Sequence, residues 1–151
     1  MKKLFAKIII SLGLVAGFAV TVHHDTVHAS VATKRAKLVK LIKKQVGKSY
    51  VWGSTGPYGF DCSGLTSYVY KKAIKKNITR TTYTQVKNGK RVSLKHLKAG
   101  DLLFWGPKSA PYHVGMYIGH GQYVHAATPS QGVVKQTLSA YFYPSLAKRV
   151  I

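Results

Sequence analysis

Residues 60–65, FDCSGL, contain the only cysteine of this 151-residue chain. Apolar residues recur after it at every third or fourth position, which is the spacing of one buried helix face. Asp61 is a good N-cap residue and comes directly before the cysteine, so we predict a helix from about Cys62 to Lys75. The cysteine then occupies the first turn of a helix, and the functional argument starts from that position.

One cysteine cannot form a disulfide within the chain, so Cys62 is a buried small hydrophobe, an intermolecular linker or a reactive thiol. Its neighbours Asp61, Ser63 and Gly64 are polar or small, and this favours the reactive thiol over a structural core residue. A helix N-terminus, a nearby imidazolium and a positive surrounding field each lower a thiol pKa. We therefore expect a lowered pKa at Cys62.

A nucleophilic thiol needs a base, and the base needs a group that orients it. The alternating segment HVGMYIG begins at His113, and with the segment around His125 it predicts a β-hairpin. His113 starts the first strand, while His125 lies among apolar residues and needs a polar partner if it is buried. His96 in a lysine-rich turn and His120 in the hairpin turn are expected to be solvated.

The two hairpin histidines form a pair only if both rings lie on one face of the sheet. A hairpin connection of even length would place them on opposite faces, because successive side chains alternate. A shared site therefore requires an odd connection or a β-bulge, which Gly119 or Gly121 would permit.

The other segments predict a single α+β domain over residues 30–151, with helices first and an antiparallel sheet second. An amphipathic helix is predicted at 33–46, a glycine-rich loop at 50–60, and a surface connection at 77–91 with a helical turn at 82–86. Strands are predicted at 102–105, 113–119, 122–127, 133–134 and 148–151.

Residues 1–29 have the organisation of a secretory signal peptide. Lysines come first, an uncharged apolar stretch follows, and Val27-His28-Ala29 supplies small residues for cleavage. An uncleaved membrane anchor is the alternative, but Ser11, Gly13 and Gly17 interrupt the apolar stretch. We predict a secreted, cell-wall-associated domain with no stable membrane insertion after cleavage.

The chain is strongly basic: 24 Lys and Arg residues against 3 acidic ones give a formal net charge of +21. The lysines are scattered rather than grouped in an arm or on one helix, which argues against nucleic acid as the partner. Attraction to anionic polymers of the cell envelope and a merely solvated surface both remain open.

Four segments occur in an order that resembles a known protein family. They are YVWGSTGPYGFDCSGL, RTTYTQ, LKAGDLLFW and HVGMYIGHGQYVHA. Their order and spacing resemble the NlpC family of papain-like cell-wall cysteine peptidases, over roughly residues 36–151. The first and last segments are specific when they occur together.

The resemblance implies a papain-like fold in which N-terminal helices pack on a small antiparallel sheet. It implies that Cys62 is the nucleophile, His113 the base and His125 the residue that orients it, with no metal or cofactor. Members hydrolyse peptidoglycan stem peptides, most often between γ-D-glutamate and the diamino acid, through a thioester. Matching positions for substrate binding are Tyr50, Asp61 and Ser63, although Asp61 and Ser63 also suit helix capping.

Two other functions stay open at this point. The first is another thiol hydrolase or transferase on the same fold, such as an amidase or acyltransferase. The second is a cationic wall-binding protein with an idle site. Many family members carry separate wall-binding repeats, and here the basic surface is expected to bind anionic wall polymers instead.

Overall fold

The computed structural model describes residues 30–151, and Thr33–Ile151 form one compact unit. The predicted signal peptide, 1–29, lies outside the described residues. The helices described are α1 (30–43), α2 (Cys62–Ile74) and α3 (Thr82–Gln85). The strands are β1 (Ser49–Tyr50), β2 (Gly59–Phe60), β3 (Lys90–Val92), β4 (Leu102–Trp105), β5 (His113–Gly119), β6 (Gln122–Ala126), β7 (Val133–Thr137) and β8 (Leu146–Arg149). Within this part of the chain, no helix is long and apolar enough to cross a bilayer.

Helix α1 packs on the core through one apolar face, as its sequence pattern predicts. Leu38 and Ile42 on that face are fully buried. The guanidinium of Arg35 donates hydrogen bonds to the carbonyl oxygens of Ala99 at 2.6 Å and Ile151 at 2.9 Å. These bonds tie the start of the domain to its C-terminal end.

Helix α2 has the start and, within one residue, the end that the sequence predicts. The Asp61 side chain caps it by accepting a hydrogen bond from the Gly64 N–H at 2.7 Å. Lys75 ends it in the left-handed conformation, with φ of 58°. Leu65 and Val69 are fully buried, so the helix docks on the sheet by the face that follows Cys62.

The main sheet has the strand order β3-β8-β4-β5-β6-β7, and all its neighbouring pairs are antiparallel. Its two faces belong to different apolar clusters. The larger cluster joins the apolar side chains of α2 to one face of the sheet, formed by Leu102, Phe104, Val114, Met116, Val124 and Ala126. The smaller one is built on Leu103, Trp105, Tyr123 and Ala147. The predicted α+β class, with helices packed on a small antiparallel sheet, is confirmed.

Some predicted boundaries were wrong. The expected loop at 50–60 begins and ends in β1 and β2, which pair in parallel with Tyr50 opposite Phe60. The expected surface connection at 77–91 contains the start of β3. Strands of two or three residues are too short to show an alternating pattern, so the sequence carried no signal for them.

Candidate active site

The nucleophile candidate, Cys62, is held in place by a tight turn before α2. A Cβ atom at Gly64 would lie 2.0 Å from the Ser54 carbonyl oxygen and 2.8 Å from Asp61 Oδ1, so only glycine fits. The thiol is partly buried, and it lies against the backbone N–H of Val114 near the start of β5. The first residues of β5 therefore carry both this N–H and the adjacent imidazole of His113.

The expected lowering of the Cys62 pKa is wrong. Burial raises the pKa of the thiol and is the largest effect, and the neighbouring Asp61 carboxylate raises it further. Backbone N–H groups of Val114, Ser63 and Cys62 itself oppose the shift without cancelling it. The thiol is therefore neutral at rest, because desolvation of the thiolate outweighs the favourable helix terminus.

The two hairpin histidines lie on one face and are in direct contact. Nε2 of His113 and Nδ1 of His125 are 2.7 Å apart. The hairpin has a register shift between Tyr117 and Gly119, and it is this irregularity that brings the rings together. The required β-bulge is therefore present, next to one of the two glycines expected to permit it.

Aromatic rings enclose the histidine pair. The ring of Trp105 lies 5.4 Å from that of His113 and 4.9 Å from that of Phe142, measured between centroids. Burial lowers the pKa of His113 to about 3, and the neighbouring His125 adds to the effect. Burial likewise lowers the pKa of His125 to about 4, although the hydrogen bond that its Nε2–H donates to Gln136 Oε1 acts in the opposite direction. Both imidazoles are therefore neutral at rest, so the imidazolium expected beside the thiol is not formed.

A cavity of about 430 Å³ opens beside this pair. Tyr112 and Phe142 form part of its wall together with His113, His125 and Gln136. The two other histidines of the described chain, His96 and His120, are exposed in turns, as predicted.

On the helix side of the site, Asp61 and Ser63 share a partner that the sequence analysis missed. Nη1 of Arg80 donates to Asp61 Oδ1 at 3.0 Å and to Ser63 Oγ at 2.9 Å. The Asp61 carboxylate also accepts a hydrogen bond from the Gly53 N–H at 2.9 Å. Arg80 lies in the RTTYTQ segment, but the abundance of cations in the chain gave no reason to single it out.

Tyr50 reaches the same region from β1. Its pKa is raised first by burial and then by its neighbours Cys62 and Asp61. The parallel pairing of β1 with β2 places Tyr50 beside the residues that lead into α2. The structure thus groups Tyr50, Asp61, Cys62 and Ser63 around the helix start.

A comparison with protein families identifies the chain. The sequence profile of the NlpC/P60 family matches residues 47–150. The chain belongs to the NlpC/P60 family. The match includes Cys62, His113 and His125, and it confirms the resemblance found from the sequence segments.

Two similar curated proteins extend well beyond the part that this chain matches. The chain is 45% identical over 98 residues to protein P54 of Enterococcus faecium, covering 65% of this chain and 19% of that protein. It is 38% identical over 110 residues to a probable endopeptidase of Corynebacterium glutamicum, covering 73% of this chain and 51% of that one. The chain therefore spans between about a fifth and a half of these curated relatives.

The fold has a solved NlpC/P60 counterpart. The crystal structure of the NlpC/P60 domain of the peptidoglycan hydrolase SagA matches with a TM-score of 0.72 and 41% identity, covering 76% of this chain and 97% of that domain. The papain-like fold that the sequence resemblance implied is thereby confirmed.

Proposed function

We propose that this NlpC/P60 protein is a secreted cysteine peptidase that hydrolyses peptidoglycan stem peptides. The relatives named endopeptidases and the solved domain of a peptidoglycan hydrolase support this substrate class. One observation carries the mechanism: Cys62 at a helix start lies against β5, whose first residue, His113, is hydrogen-bonded to His125. A thiol, a base and a group that orients the base are the parts that acyl transfer needs.

Attack begins from a neutral site. Cys62 Sγ bonds to the carbonyl carbon of the substrate while its proton passes to Nδ1 of His113. Because both groups are neutral at rest, proton transfer accompanies attack instead of preceding it. The backbone N–H of Cys62 and the hydroxyl of Tyr50 stabilise the negative charge that develops on the carbonyl oxygen.

The intermediate then collapses to a thioester. His113 returns its proton to the nitrogen of the leaving amine, and the C–N bond breaks. A water molecule then attacks the thioester carbon and gives a proton to His113, and that proton returns to Cys62 as the acid product leaves. His125 orients the His113 ring through both halves of the reaction.

The bond that we propose is the one between γ-D-glutamate and the diamino acid of the stem. Tyr50, Asp61 and Ser63 lie on the helix side of the thiol and are proposed to hold the substrate there. Arg80 fixes the positions of Asp61 and Ser63 through the hydrogen bonds described above. Asp61 thus combines the capping role with a place in the binding site.

The test is digestion of defined muropeptides by the mature protein and by Cys62→Ala, with product identification by mass spectrometry. We expect cleavage at the γ-D-glutamyl bond by the mature protein and none by Cys62→Ala, with the melting temperature retained. Turnover by Cys62→Ala would exclude the thiol mechanism. Cleavage between N-acetylmuramate and L-alanine would indicate an amidase, and absence of any product in both samples would favour the wall-binding protein with an idle site.

We also propose that basic side chains hold the protein on anionic wall polymers. A groove of about 810 Å³ beside α2 is lined by Lys71, Lys72 and Arg80, and none of the described residues along it is acidic. Such an attraction weakens with salt, since the screening length is about 8 Å at physiological ionic strength.

Wall binding is therefore expected to fall severalfold when salt is raised from about 0.1 M to about 0.3 M. The double variant Lys71→Ala/Lys72→Ala should bind walls more weakly than Lys37→Ala/Lys40→Ala, which removes the same charge from exposed positions of α1. Binding that does not change with salt would exclude the electrostatic proposal.

A further inference from the structure

The histidine pair is part of a longer hydrogen-bonded chain. Nε2 of His125 lies 3.0 Å from Oε1 of Gln136, and the Tyr123 hydroxyl donates to the same oxygen at 2.8 Å. In the sheet, Gln136 on β7 is directly opposite Tyr123 on β6, and His125 is two residues further along that strand. Neither Gln136 nor Tyr123 has a place in the mechanism proposed above.

The chemistry of Gln136 Oε1 decides where the ring protons lie. An amide oxygen only accepts, so Nε2 of His125 must carry a proton. A neutral imidazole has one N–H, which leaves Nδ1 of His125 as an acceptor. Nε2 of His113 then donates to it across the 2.7 Å contact, and Nδ1 of His113 is left with a free lone pair.

The opposite orientation of the Gln136 amide reverses every bond in the chain. Its NH₂ group would donate to Nε2 of His125, Nδ1 of His125 would donate to His113, and Nδ1 of His113 would carry the proton. A protonated Nδ1 cannot accept the thiol proton. The amide orientation therefore selects between a state that can act as a base and one that cannot.

Tyr123 favours the productive orientation. Its side chain is 1% exposed, and within residues 30–151 Gln136 Oε1 is the acceptor of its hydroxyl. Reversal of the amide would leave this O–H without an acceptor, which costs free energy in a buried position. Gln136 itself is half-buried, so in the observed orientation its NH₂ group can be hydrated.

We propose that Gln136, held by Tyr123, is a positioning residue that sets the tautomer of His125 and His113 and so leaves Nδ1 of His113 free to accept the Cys62 proton. The catalytic part of this inference rests on the proposed function, whereas the tautomer part does not. A side chain at position 136 that accepts a hydrogen bond should preserve this row of hydrogen bonds, and a side chain that cannot accept one should break it.

The experiment combines nitrogen-15 NMR of the histidine rings with turnover of a defined muropeptide. In the unmodified protein both histidines should give the spectrum of the Nε2–H tautomer. Gln136→Met should mix the tautomers and lower kcat by about tenfold to a hundredfold, the range found when the group that orients a metal-bound histidine through its second nitrogen is removed. Gln136→Glu, which accepts but cannot donate, should restore the tautomers and most of kcat.

Gln122→Ala is the matched control, because Gln122 lies in the same strand pair at its far end, opposite Thr137. It should change neither the spectrum nor kcat. An Nδ1–H tautomer in the unmodified protein, or unchanged tautomers and kcat in Gln136→Met, would overturn the proposal. If the unmodified protein cleaves no muropeptide, the spectra still test the role of Gln136, and the proposed function alone fails.

Discussion

The two halves of the candidate active site are built by opposite means. On the helix side, Asp61 and Arg80 form an ion pair, and backbone N–H groups of Gly53 and Gly64 complete the carboxylate shell. On the sheet side, His113 and His125 are neutral and enclosed by aromatic rings. Charge and close backbone contact fix the position of Cys62, whereas desolvation and a hydrogen-bonded chain fix those of His113 and His125. The two halves should therefore respond differently to mutation and to pH.

On the helix side, Gly64 is the position where we expect a substitution to destabilise the fold most. In Gly64→Ala the added methyl group would lie 2.0 Å from a backbone oxygen that cannot move without opening the turn before Cys62. We expect the free energy of unfolding to fall by about 3 kcal/mol, at the upper end for overpacking. Urea denaturation measures this, with Lys72→Ala in the same helix as the control. A loss below about 0.5 kcal/mol would show that the turn is not closely packed.

The sheet side should respond to acid. The unfolded histidines have an ordinary pKa near 6.5, but the folded state lowers the pKa of His113 to about 3 and that of His125 to about 4. The unfolded chain therefore binds more protons as pH falls below 6.5, and stability is progressively lost towards pH 4. Between pH 7 and pH 5 each histidine should contribute a loss of about 2 kcal/mol.

Denaturation at both pH values checks this, and His125→Gln should remove a large part of the loss. His96→Gln, at an exposed turn, should leave the pH dependence unchanged. A protein equally stable at pH 7 and pH 5 would show that the histidines are not held neutral.

Loss of the Asp61–Arg80 ion pair should lower the free energy of unfolding by less than the changes above. Asn also caps helices well, so Asp61→Asn removes mainly the charge that faces Arg80. The Arg80 side chain is 39% exposed, and solvent screening limits the expected loss to about 1 kcal/mol. A double-mutant cycle with Arg80→Met isolates this interaction, and additive effects of the two substitutions would show that the pair does not stabilise the fold.

The smallest expected effect is that of burial on the reactivity of the Cys62 thiol. Because burial raises the pKa of Cys62, alkylation by iodoacetamide at pH 7 should be severalfold slower than that of free cysteine, and its rate should still rise above pH 9. Mass spectrometry follows the modification, with Cys62→Ala as the blank. A rate that reaches its plateau below pH 7 would mean that the thiolate is already formed at rest.

Much of the framework could be predicted from local patterns. The capped start of α2 at Asp61 follows from one residue and the periodicity after it. The alternating sequence from His113 predicts β5. The need for a bulge follows from requiring His113 and His125 on one face. These features depend on residues close in sequence, which is why the sequence displays them.

The electrostatic properties of the site could not be predicted in the same way. The direction of the Cys62 pKa shift depends on how deeply the thiol is buried, which the helix-start position alone does not reveal. Arg80 and Gln136 contact partners in other elements of the fold, and nothing in the sequence near either residue names that partner. Their partners become evident only when strands and loops distant in sequence are brought together.

The order of the main sheet also bears on aggregation. Its outer strands are β3 and β7, and unpaired strand edges invite pairing with other molecules. β3 is only three residues long and begins with Lys90 and Arg91, which repel a second copy of so basic a chain. The start of β7 is already covered, since Val133 exchanges hydrogen bonds of 2.8 Å with Gly47 and Lys48. The β3 edge and the start of the β7 edge are thus protected, which should reduce the edge-to-edge association that leads to fibrils.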